Sequence, residues 1–185
     1  KWITRQAGYE RSLITLKTIK LNHIKGHYYH FIDPKTGLRG WDDSHDVELT
    51  SASTGTMILG ALIAAEYFGG EVRKVADEMY SRIDWKWFTN PQSKHPYLAC
   101  FPEDKPSKDP HGGMNSEGFF GAWSAYCEHL FLYILGAGAP NPEFATGAAS
   151  YYAMQTFKSR YKGDEFIMCG SGAPFTYQWT HGFID

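Results

Sequence analysis

The clearest periodicity in the chain lies in residues 72–83. Val72, Val75, Ala76, Met79, Tyr80 and Ile83 recur at helical spacing, while Arg73, Lys74, Asp77, Glu78 and Arg82 take the other face. This predicts an amphipathic outer helix. Residues 48–68, just before it, are rich in Ala, Leu and Ile and carry few charges. They predict a helix buried all round, ended at "FGG", where glycine supplies a left-handed cap. An inner helix beside an outer one is a two-layer helical pattern. Residues 8–24 predict another helix, with Leu13, Leu16 and Ile19 on one face. "FFGAWSAYCEHLFLYILGAG" (119–138) predicts an apolar helix closed by glycine and Pro140. "NPEFATGAASYYAMQTFKSRY" (141–161) predicts one more, opened by Asn-Pro.

The intervening segments carry turn chemistry. Aromatics flank "DPKTG" (33–37), which predicts a short hairpin or an ordered loop. Residues 89–118 hold most of the prolines and read as a long loop, with a short strand near "YLACF". The tail, 164–185, reads as short extended pieces and loop. There is no internal repeat, low-complexity tract or linker, so residues 1–185 are expected to form one catalytic-type domain.

Composition narrows the function classes. The net charge of -2 leaves no electrostatic footprint for nucleic acid. "GTMILGALIAAEYF" is too short to span a membrane and contains Glu66. Three cysteines without CxxC spacing argue against a disulfide framework or a zinc finger. No signal peptide is visible and the chain does not begin with Met. The ending on "GFID", beside aromatics, suggests that more protein follows in the natural gene. Aromatic residues make up 16% of the chain. They build cores, and they also make flat platforms for sugars.

Two sets of carboxylates stand out. Glu128 sits in "AYCEHLFLYIL" among apolar positions, beside Ser124 and Ala125, with Trp123 and Phe131 flanking it. A half-desolvated carboxyl in an aromatic setting suits a general acid; a structural glutamate paired with Arg or His is the plain alternative. "WDDSHDVELT" (41–50) crowds Asp42, Asp43, Asp46 and Glu48 before the buried helix. Capping explains one or two of these. A glycosidase needs two carboxylates across the scissile bond, and Glu48 or Asp46 could partner Glu128. Trp41, Trp123, Tyr126, Tyr177 and Trp179 are candidates for stacking on sugar rings, with core packing the alternative for each. Gln178, His181 and Asp185 interleave polar groups with the late aromatics, as a sugar cleft requires. His27, His30, His45, His129 and His181 raise the question of a metal, but no HExxH occurs and no metal site is predicted. Phosphate-loop, dinucleotide and GxSxG signatures are absent.

Five blocks resemble a known family. "GHYYHFIDPKTGLRGW", "VELTSASTGTMILGALIAAEYFGG", "VADEMYSRIDWKWF", "AYCEHLFLYILGAGAPNP" and "YQWTHGFID" are similar, in that order, to the bacterial glucoamylase-like family that includes the endo-β-1,2-glucanases. The resemblance runs from about residue 8 to 185. It implies an (α/α)6 toroid of six inner and six outer helices, hydrolysis of a glucan by paired carboxylates without a metal cofactor, and export to the periplasm or beyond. It matches Glu128 to the glutamate of the family's helix motif and Glu48 to the glutamate opening an earlier inner helix. His181 and Asp185 match polar positions of the late aromatic motif. The chain departs from the pattern in three places. Cys127 stands where the family carries Asn, Ser53 and Thr54 stand where it carries an Asp, and the acids at 42, 43 and 46 look inserted. Twelve helices also need more residues than 185, so the barrel is expected to be incomplete here. Its remainder, a partner or a second copy would cover the inner helices. The expected activity is inverting hydrolysis of a β-linked glucan, β-1,2 favoured. The rivals are a non-catalytic carbohydrate-binding protein on the same scaffold and, last, a helical polysaccharide lyase.

Overall fold

The computed structural model describes residues 2–40, 47–101 and 113–184. Helix α1 (Arg5–Ile19) starts at Thr4, whose hydroxyl accepts the Ala7 N–H at 3.1 Å. Strand β1 (Leu49–Thr50) runs straight into α2 (Ser51–Phe68). Thr50 is the N-cap of α2, so the helix begins three residues later than the apolar pattern predicts, and Glu48 lies before the strand rather than in the helix. Gly69 and Gly70, at φ +68° and +54°, turn the chain into α3 (Gly70–Ser81). The turn folds α3 back along α2, and α3 also packs on α1. The predicted face of α3 is buried: Val72, Val75, Ala76 and Met79 meet Ile58 and Ala65 of α2.

Helix α2 is not buried all round. Ile63 and Tyr67 are exposed, by 47% and 61%. With Leu62, Ile134, Phe183 and Ile184 they line an open apolar cleft of about 650 Å³.

Residues 119–138 do not form one helix. Phe119–Ala122 is strand β3, antiparallel to β2 (Tyr97–Cys100), which in turn pairs with β1. Gly121 at φ +60° is incompatible with helix continuation, and the aromatic pair Phe119–Phe120 is taken into the sheet and buried. Helix α4 (Leu130–Ala137) begins only after a turn. Residues 141–161 likewise divide. Helix α5 (Ala148–Ala153) is short, and β4 (Phe157–Tyr161) pairs with β5 (Asp164–Met168) around Lys162 and Gly163. Both turn residues have positive φ, +51° and +96°, as a tight hairpin requires. Helix α6 (Phe175–Gln178) and a helical turn at Thr180–Gly182 end the described chain. The architecture is therefore helical with two small antiparallel sheets, not helices and loops alone. Among the described residues no helix is long and apolar enough to cross a membrane. The "DPKTG" loop is ordered: the Asp33 carboxylate accepts the Lys35 and Thr36 N–H groups at 2.7 and 3.0 Å.

Buried Thr54 joins α2 to the sheet and to the loop before it. Thr54 Oγ1 donates to the Thr50 carbonyl at 2.8 Å and accepts the Tyr28 N–H at 3.0 Å. Thr54→Val keeps the shape and leaves the Tyr28 N–H unpaired. It is expected to cost about 1–3 kcal/mol, read as a lower urea midpoint with unchanged slope.

His27 is fully buried, its ring 4.3 Å from that of Phe88, and its Nε2–H donates to the Asp84 carbonyl at 3.0 Å. Burial lowers its pKa to about 4. The unfolded chain, at about 6.5, binds this proton more readily. The stability contributed by neutral His27 is therefore complete above about pH 6.5 and is lost as pH falls toward 4. The full swing is about 3 kcal/mol. Urea midpoints measured from pH 7 to 4 should fall in the wild type and fall less in His27→Gln; parallel curves would refute this.

Candidate active site

The sheet and α4 place a turn, residues 123–129, at one end of β3. Its start is fixed from two sides: the Trp123 N–H donates to the Pro96 carbonyl at 2.9 Å, and the Tyr133 hydroxyl of α4 donates to the Trp123 carbonyl. Trp123 Nε1 donates to Ser51 Oγ at 3.2 Å, and Ser51 Oγ donates to the Tyr97 carbonyl at 2.7 Å. The indole ring lies on His129, with ring centroids 3.7 Å apart.

Glu128 is in this turn, two residues before α4, not inside a helix as its apolar neighbours predict. Its carbonyl accepts from Thr180 Oγ1 at 2.7 Å, and Thr180 Oγ1 in turn accepts the Phe131 N–H at 3.2 Å. One buried threonine in the tail thus holds the glutamate backbone and caps an unpaired N–H in the first turn of α4. The Glu128 carboxylate lies 3.7 Å from His129 Nδ1, its side chain 21% exposed. Burial lowers the His129 pKa to about 4, and Glu128 pulls it the other way. At neutral pH the ring is uncharged, so this contact is not an ion pair.

Glu128 opens into a cleft of about 270 Å³. Trp123, Tyr126 and Cys127 line one wall, and Cys169, Gly170 and Ser171 line the other. Burial pushes the Cys127 thiol up to about 11. The Tyr126 hydroxyl lies 3.4 Å from His181 Nε2. Tyr177 fixes the far wall, its hydroxyl accepting the Cys169 N–H at 2.7 Å. None of Cys100, Cys127 and Cys169 is disulfide-bonded.

The structure brings Glu128, Trp123 and Tyr126 together in the cleft, whereas His181 touches Tyr126 without lining it. Gln178 and Trp179 sit on the neighbouring helical turn with exposed side chains and do not line the cleft. Glu48 does not line it either. Its carboxylate pairs with His30 Nδ1 at 2.9 Å. In the sheet, Leu49 is level with Cys100 and Phe119, whereas the turn bearing Glu128 leaves β3 beyond Ala122, at the opposite end. Trp41, Asp46 and Asp185 lie outside the described residues. Sequence reasoning missed Thr180, Cys169 and Ser171. The run of small residues "CGSGA" marks a loop but carries no hint that it faces position 128.

No protein-family model and no curated protein matches the chain. Solved structures do. An endo-β-1,2-glucanase from Chitinophaga pinensis, in complex with sophorotriose and glucose, matches with a TM-score of 0.70 at 20% identity, over 93% of this chain and 41% of that one. A glucoamylase-like protein from Bacteroides uniformis matches with a TM-score of 0.71 at 20% identity, over 90% and 41%. Another, from Bacteroides caccae, gives 0.66 at 20% identity, over 94% and 42%. The chain thus shares the fold of part of these proteins and spans about two fifths of their length. The sequence resemblance and the likeness of fold point to the same group.

Proposed function

We propose that this chain is part of a glycoside hydrolase that cleaves a β-linked glucan, β-1,2-glucan favoured, with Glu128 as general acid. The observation that carries this reading is the setting of Glu128. A partly exposed carboxylate stands in an open cleft, beside an indole and a phenol that suit a sugar ring. The base in this reading is Asp46, from the segment before α2, acting with inversion, since His30 holds Glu48 away from the cleft. Inversion requires the two carboxyl groups about 6.5–9.5 Å apart, with a water between them. Trp41, Gln178, Trp179 and Asp185 belong to the substrate-binding surface in this reading. The exposed apolar stripe of α2 supports residues 1–185 as one part of a larger (α/α)6 toroid whose other helices cover Ile63 and Tyr67. The resemblance supports export to the periplasm.

A second reading is favoured by the placing of Glu48. Held by His30 and absent from the cleft of Glu128, it leaves that cleft with one carboxylate among the described residues. A carbohydrate-binding protein needs no second one.

The test is release of reducing ends from a panel of glucans, β-1,2-linked included, alongside sugar binding by calorimetry. Release from one linkage supports the hydrolase and names its substrate. Binding without release supports the second reading, and neither binding nor release by the folded chain overturns both for the chain alone.

A further inference from the structure

The turn that carries Glu128 also gathers two other donors. Cys127 Sγ lies 3.8 Å from His129 Nδ1, and His129 Nδ1 lies 3.7 Å from Glu128 Oε1. One donor atom from each of the three residues falls within 4.8 Å of the others. These separations can be compared with what an ion would demand. Zinc bonds of about 2.3 Å to sulfur and about 2.0–2.1 Å to nitrogen or oxygen, at tetrahedral angles, set the donors about 3.3–3.6 Å apart. The two short separations here are within a few tenths of an ångström of that.

The donor set is mixed: thiol, imidazole and carboxylate suit a soft or borderline divalent ion and not Mg²⁺ or Ca²⁺. Its surroundings are also those of a metal site. The His129 ring is held against Trp123, and the backbone of Glu128 is tied to Thr180. Cys127 and Glu128 line the cleft, so an ion can reach the donors from solvent.

We propose that Cys127, Glu128 and His129 bind a soft divalent cation such as Zn²⁺, and that the bound ion occupies the carboxylate needed for hydrolysis. The ion is an inhibitor, not a cofactor. The blocking half of this proposal rests on the reading of Glu128 as general acid; the binding half does not. Cys127 is also one of the positions at which this chain departs from the pattern it resembles, so sensitivity to the ion would be a property of this chain.

Cobalt(II) titrated into the reduced chain tests the binding half. A saturable near-ultraviolet thiolate-to-cobalt charge-transfer absorption is expected at one ion per chain, and Zn²⁺ should displace it. Cys127→Ser should abolish the absorption and Cys100→Ser should retain it. Glu128→Gln should keep the absorption but weaken cobalt affinity by about tenfold or more. Circular dichroism checks each fold. If Cys127→Ser does not fold, the affinities of Glu128→Gln and His129→Gln decide the matter. No absorption at saturating cobalt, absorption that survives in folded Cys127→Ser, or unchanged affinity in both other variants overturns the site. Zn²⁺ should suppress reducing-end release over the range in which it displaces cobalt. Displacement without suppression would refute the acid role of Glu128 and leave the site standing.

Discussion

Glutamine at position 128 is expected to lower reducing-end release by about 10²–10⁴-fold, the usual worth of general acid catalysis, with the fold intact. The substitution is isosteric. It keeps the Glu128 carbonyl that accepts from Thr180, so the turn and the start of α4 stay in place. It removes only the proton-donating group that opens into the cleft. Because Trp123, Tyr126 and His181 are untouched, sugar affinity should change far less than turnover, and the loss should fall on kcat rather than KM. A variant with wild-type kcat on the hydrolysed glucan would remove Glu128 from the mechanism. A variant that loses binding and turnover together would make it a substrate ligand instead.

A single methyl group at position 26 is expected to destabilise the protein by about 2–5 kcal/mol. Gly26 has φ +83°, a conformation that already penalises alanine by about 1–2 kcal/mol. An added Cβ would also stand 2.5 Å from Ile83 Cα, 2.7 Å from the Arg82 carbonyl oxygen and 2.8 Å from Ile83 N. All three are backbone atoms and cannot rotate aside, so the overlap adds an overpacking cost of about 1–3 kcal/mol. The strain spreads, because the Lys25 carbonyl accepts the Asp84 N–H at 3.0 Å and buried His27 follows directly. Gly60→Ala is the control. An added Cβ there meets nothing within 4 Å in the middle of α2, and alanine should stabilise the helix by about 0.5–1 kcal/mol. Urea unfolding of the two variants should move in opposite directions; a Gly26→Ala midpoint equal to wild type would refute the close approach.

Helix α2 was legible as a long apolar run closed by glycine, and α3 because its pattern repeats over three turns. Strand β3 was not. Phe119 and Phe120 followed by small residues satisfy a helical period as well as a strand, and what decides between them is pairing with Tyr97–Cys100, about twenty residues away. The same ambiguity drew Glu128 into a helix that starts after it. Trp123 and Tyr126 were legible as neighbours of Glu128 because polar tips on aromatic bodies stand out locally. Thr180 was not, because one threonine in a tail gives no sign that it binds residue 128. Glu48 was read as the first residue of a helix because acids favour a helix start. Thr50 takes the cap, and His30 takes the carboxylate.

The tie between Thr180 and Glu128 has a consequence for the order of events in folding. The α2–α3 hairpin closes over two glycines and makes contacts between residues near in sequence, so little chain entropy opposes it. The clasp on the Glu128 turn closes a loop of 52 residues and needs the sheet, α4 and the tail already near their places. Nucleation is expected in the hairpin, and assembly of the cleft is expected as a late step. In refolding, fluorescence from Trp85, which is buried in the helical core, should recover ahead of that from Trp123, which lines the cleft, as single-tryptophan variants would report. Thr180→Val should slow or abolish the second event and spare the first.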